Sequence, residues 1–145
     1  LARTAWVDFG LHSKPRAAGV ADSLNYIYSH ETGTTDDGSA MEPFIESSVF
    51  SIGDGEQFSF ISRLIPDIDI ASSEATTSVN YVLKSRNFPG ESLSTNSTSA
   101  VTSTTDQAFV RSRSRSSVLR VESSAIDIQW TLGDLRLDIR PDGRR

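Results

Sequence analysis

The chain has 145 residues, 37% hydrophobic and 23% charged, with no cysteine and a net charge of −5 at neutral pH. That length suits one globular domain of about 100–150 residues, with part of a neighbour attached, and a core that needs neither metal nor disulfide. Without cysteine there is no disulfide framework, thiolate zinc site or cysteine nucleophile, and no apolar run reaches the roughly 18 residues of a membrane span. Serine and threonine make up about a quarter of the residues, and strong helix formers are sparse, so the composition favours all-β structure with polar turns. The charge is uneven: the net is −2 over residues 1–40, −5 over 41–105 and +2 over 106–145, where the cations are all arginine. The start lacks the basic and apolar stretches of a signal peptide. Beginning at Leu1, the chain reads as a processed product or the end of a longer one.

In residues 1–40, two strand-length apolar pieces, 5–9 (AWVDF) and 24–28 (LNYIY), flank a Gly/Pro-containing connection. Phe9 belongs to the first piece. Residues 33–39 (GTTDDGS) read as a loop. Two or three strands make no stable core alone, so this segment is expected to be the end of a larger β domain.

From Phe44 the strand signals strengthen. Residues 44–52 (FIESSVFSI) and 58–65 (FSFISRLI) flank a Gly53-Asp54-Gly55 turn, as a hairpin or a strand–turn–strand corner. Residues 78–84 alternate with Val79, Tyr81 and Leu83 on one face, and residues 91–105, nearly pure Ser/Thr, read as a long surface loop. That loop holds a sequon at Asn96, which is expected to carry no glycan. Beyond it, residues 109–115 place Arg111, Arg113 and Arg115 opposite Val110, Ser112 and Ser114. Further strands are expected at 118–121, 126–130 and 135–140, the last with Leu135, Leu137 and Ile139 facing in and Arg136 and Arg140 facing out. Trp6 and Trp130 fall in apolar patterns and are expected in the core. The fold class is all-β: an antiparallel β-sandwich or jelly-roll-like region over 41–145, preceded by terminal strands of another β domain over 1–40.

Chemistry is harder to find. The two histidines, His12 and His30, have no G-x-S-x-G elbow to serve, and His30-Glu31 lacks the second histidine of a zinc-protease helix. A calcium loop aligned on Gly38 would start at Gly33 and end at Phe44, which supplies no ligand. Asp36, Asp37 and Asp54 read as turn residues. No catalytic, metal or cofactor site is therefore assigned. What stands out is arginine on alternating strands: Arg111, Arg113, Arg115, Arg120, Arg136 and Arg140. An arginine face is a solvated surface, an ion-pairing subunit interface or a phosphate-contacting surface.

Residues 44–68 (FIESSVFSIGDGEQFSFISRLIPDI) and 130–145 (WTLGDLRLDIRPDGRR) are distinctive together. With 28–34 (YSHETGT), 83–90 (LKSRNFPG) and 119–123 (LRVES), in that order, they resemble the C-terminal part of tail nozzle or hub proteins of short-tailed bacteriophages. That family includes the tail tubular protein B and packaged-DNA stabilisation types. Residues 111–117 depart from it, carrying serines where relatives commonly have an R-x-R-G-R-Q-like phrase. The resemblance implies a structural virion protein rather than an enzyme, built of a β-propeller and further β domains. It implies a sixfold homo-oligomeric ring contacting a tail adaptor and other tail proteins, around a channel for packaged double-stranded DNA. In such a ring the arginine face is expected to form an ion-pairing seam with the acidic region 41–105 of the next subunit rather than a grip on DNA. On that likeness, residues 1–40 are the last propeller strands. The competing expectation is a carbohydrate-binding or adhesive β-sandwich module.

Overall fold

The computed structural model describes residues 3–7, 13–21, 24–36, 38–72 and 77–144. Phe9, His12 and Asp37 lie outside them. Every strand pairing is antiparallel, and the described residues contain no helix. The chain divides into two compact units, residues 1–34 and 35–145, a boundary ahead of the expected break after residue 40.

The first unit is a three-stranded meander of β1 (Arg3–Val7), β2 (Arg16–Ala21) and β3 (Leu24–Ser29), with β2 in the centre. The stretch expected as a connection is thus partly a strand. Alanine and glycine are weak strand formers, so β2 gives little local signal. Its partners supply the order: Ala17 sits between Trp6 and Tyr28, Gly19 faces Tyr26, and the two large neighbours leave Ala17 buried. Trp6 itself is 58% exposed, which corrects its expected place in the core. Trp6, Tyr26 and Tyr28 share one face; Val7, Ala18, Val20 and Ile27 share the other, and Ile27 is 76% exposed.

The second unit runs β4 (Phe44–Glu46), β5 (Ser59–Ile65), β6 (Ile68–Ser72), β7 (Val79–Arg86), β8 (Ser94–Val101), β9 (Ala108–Ser114), β10 (Ser116–Glu122), β11 (Ile128–Leu132) and β12 (Arg136–Pro141). These form a four-stranded sheet, β4-β10-β7-β8, a three-stranded sheet, β12-β5-β9, and a β11-β6 ribbon. Ile61, Leu64 and Val110 pack with Val79, Tyr81, Leu83, Leu119 and Val121 in one core, and the ribbon adds Ile68, Ile70, Ile128, Trp130 and Leu132. The unit is an all-β, sandwich-like fold.

The Gly53-Asp54-Gly55 turn has Gly53 and Gly55 at positive φ and joins strands of different sheets, a corner rather than a hairpin. Beyond Glu46 the chain still follows β10: Ser47 N–H donates to the Leu119 carbonyl, and Phe50 bridges Ser117. The Ser/Thr stretch expected as a loop contains β8, paired to β7 along its length except at Asn96, where the register shifts. Its inward positions include Ser97 and Ser99, so the alternation has no hydrophobic signature until Val101. Trp130 is half-buried against the core, with its indole N–H donating to Ser123 Oγ at 3.0 Å.

Candidate functional site: an arginine and phenylalanine face

The RSRSRS run owes its conformation to β9. Ser112 and Ser114 are each 1% exposed, while Phe109, Arg111 and Arg113 point outward. Buried serine is tolerable only if its hydroxyl is satisfied. Asn96 Nδ2 donates to Ser112 Oγ at 3.0 Å, and Ser114 Oγ shares a 2.9 Å bond with Ser117 Oγ. Serine is also small, which lets β8 and the β9–β10 corner approach closely.

The register of the three-stranded sheet lays out the outward face in rows. Phe60 on β5 lies between Arg113 on β9 and Arg140 on β12; Arg63 lies between Phe109 and Asp138; Arg136 sits opposite Ile65. The ladder shifts register between Ile61 and Arg63, which keeps Ile61 and Leu64, three residues apart, both on the buried face. Leu135 and Leu137 pack against the core while Arg136 and Arg140 face out, as alternation requires. Ile139, expected to face in, pairs with the buried Ile61 but remains 36% exposed at the sheet edge.

Partners differ sharply among the guanidinium groups. Arg63 contacts one oxygen of Asp138 through Nε at 2.6 Å and Nη2 at 2.5 Å, and donates to Gln107 Oε1 at 3.1 Å. Arg113 pairs with Asp142 at 2.5 Å and lies 4.0 Å from the Phe58 ring centroid. Arg115, at the corner between β9 and β10, donates to the carbonyls of Glu56 and Arg144 at 3.2 and 3.1 Å and sits 4.9 Å from the same ring. Arg140 stands 4.8 Å from the Phe60 centroid. Arg111 and Arg136 are exposed and have no acidic partner among the described residues.

Arg120 belongs elsewhere, on the outer side of the four-stranded sheet. It pairs with Glu122 at 2.5 Å and Glu46 at 3.4 Å and lies 3.7 Å from the Phe44 centroid; Lys84 holds the same Glu46 oxygen at 2.7 Å. The hydrogen bond from Lys84 is the main cause that holds the Glu46 carboxyl below its ordinary value, and the bond to Glu122 raises the Arg120 guanidinium. Val82 faces Arg120 and Val118 faces Lys84, so the stems of these cations stand beside two buried valines. A cleft of about 310 Å³ opens beside Arg120, Glu122, Phe44 and Asn80.

Of the six arginines picked from sequence, the structure brings Arg111, Arg113, Arg136 and Arg140 onto one face, sets Arg115 at its end and removes Arg120 to the other sheet. Sequence reasoning missed Arg63, Phe58, Phe60 and Phe109. For Phe58, Phe60 and Arg63 the signal was the F-S-F spacing before Arg63, which becomes informative only once β5 is known to be the central strand. His30 packs on Trp6 with ring centroids 4.4 Å apart. Among the described residues, no group of three or more acidic or histidine side chains is arranged to hold a metal ion. No family model and no curated protein matches the chain.

Proposed function

We propose that this chain is a structural module of a tail nozzle or hub of a short-tailed phage, acting in a ring-shaped conduit that retains packaged double-stranded DNA and releases it into the host. In this reading it works by assembly with further copies, a tail adaptor and other tail proteins, not by catalysis. The observation that carries the reading beyond the five sequence phrases is the two-faced meander of residues 1–34. A sheet with Trp6 and Tyr26 on one side and Val20 and Ile27 on the other needs apolar layers against both sides. Stacked propeller blades meet that need, and a sandwich-like module in the same chain suits a rigid conduit. The test is expression with the natural upstream sequence, followed by negative-stain microscopy. Closed rings with a central channel are expected; a monodisperse monomer without upstream β-blades overturns the reading.

The exposure of Trp6 is the one observation that favours a carbohydrate-binding module. A sugar platform, however, needs a single aromatic face, and the opposite face of this meander also carries exposed apolar side chains, Val7, Val20 and Ile27. A glycan-array signal lost on Trp6→Ala would establish that alternative.

A further inference from the structure

We propose that the outer face of the three-stranded sheet binds single-stranded nucleic acid, with Arg111, Arg136 and Arg140 on phosphates and Phe109 stacked on a base. The inference stands independently of the phage reading. An otherwise acidic chain concentrates cations here, and among the described residues the acids that pair with them are Asp138 and Asp142. Arg63 and Arg113 are already neutralised by Asp138 and Asp142, so they shape the surface; Arg111 and Arg136 are exposed and have no acidic partner among the described residues. β9 and β12 flank β5 and so lie about 9–10 Å apart, and outward residues along one strand repeat at about 7 Å. That spacing lets an extended polynucleotide meet a guanidinium on either side of a flat strip.

The aromatic residues decide between possible anions. Arg113 and Arg115 lie over the Phe58 ring, and Arg140 over Phe60. Phe109 is 76% exposed, and no ring or cation stacks on it among the described residues. A bare ring beside Arg111 on a sheet surface offers a π-face at the height of the charges. Unpaired bases can use that face, whereas a duplex keeps its base faces stacked inside. A polyanion without bases engages only the arginines.

Fluorescence anisotropy of a labelled oligothymidylate, with an equal-length duplex and heparin as comparisons, tests the assignment across a salt series. The oligothymidylate is expected to bind more tightly than the duplex, with affinity falling as salt rises. Replacing Phe109 with alanine, at a position too exposed to alter the melting temperature, should weaken oligothymidylate about 5- to 100-fold and leave heparin unchanged. Arg111→Gln should weaken both ligands and reduce the single-strand salt slope by about 0.7. Equal binding of duplex and single strand, or no effect of Phe109→Ala on oligothymidylate, overturns the proposal. So does low-salt self-association that Arg111→Gln abolishes without any oligonucleotide binding, because the face then docks a second copy of the chain.

Discussion

Ser114 and Ser117 share a buried hydroxyl–hydroxyl hydrogen bond of 2.9 Å at the point where the chain leaves the three-stranded sheet and enters the four-stranded one. Only Arg115 and Ser116 separate them, and the strands that hold them belong to different sheets. Ser59 Oγ adds a 2.9 Å bond to the Ser114 carbonyl. The corner is held by polar contacts inside the protein, where an unmet hydroxyl is costly.

Ser114→Ala should therefore destabilise the second unit by about 1–3 kcal/mol, because it strands the Ser117 hydroxyl. The double variant Ser114→Ala, Ser117→Ala should cost clearly less than the sum of the two single changes. Urea unfolding of the three variants measures the coupling, and strict additivity would show that the two hydroxyls do not depend on each other.

Gly133 is required by a close approach. A Cβ at this position would lie 2.5 Å from Asp67 Oδ2 and 2.7 Å from Asp67 Cγ. The carboxylate can retreat only by giving up the Asp134 N–H, which Oδ2 accepts at 3.0 Å, while the Gly133 N–H bond to the Asp67 carbonyl at 2.8 Å holds the two backbones together. Gly133→Ala should lower stability by about 1–3 kcal/mol. In an Asp67→Ala background the same change should cost much less, which thermal melts of the four proteins will show.

Tyr81 is buried in the core with a hydroxyl that has no hydrogen-bond partner among the described residues. Burial, aided by the Asp67 charge, pushes its pKa up to about 12 from an ordinary 10. The unfolded chain therefore releases this proton first, and stability should fall as pH rises from about 10 towards 12. Tyr81→Phe should be neutral or stabilising by up to about 1 kcal/mol at neutral pH and should remove that alkaline slope. Denaturant midpoints across the alkaline range, with absorbance titration of the tyrosines, check both outcomes.

Glu46 sits between Lys84 and Arg120, and its folded pKa is depressed from 4.5. Its contribution to stability is present above that ordinary value and is lost as pH falls through the lower folded one. Glu46→Gln should lower the urea midpoint at pH 7, by an amount that shrinks as acid is added and as salt is raised. A difference that persists unchanged at low pH would mean that packing, not charge, carries the effect.

Strict alternation made much of this protein legible from its residues. Val79, Tyr81 and Leu83 faced the core, and Arg111 and Arg113 stood opposite Ser112 and Ser114, because a strand has a period of two whatever surrounds it. The strands that carried no hydrophobic signature were the ones hidden. β2 relies on Trp6 and Tyr28 to cover Ala17, and β8 pairs its serines with β7 and reaches Ser112 on β9 through Asn96, so their order comes from partners elsewhere in the chain. The candidate face divides in the same way. Residue type and parity picked out Arg111, Arg113, Arg136 and Arg140, which periodicity alone can assign to one side of a strand. That Arg120 lies on the other sheet, that Arg63 joins the face, and that Phe109 stays bare while Phe58 and Phe60 are capped were decided by strand order and by the register shift in β5. Those are long-range pairings, and nothing in the local pattern encodes which strand will lie beside which.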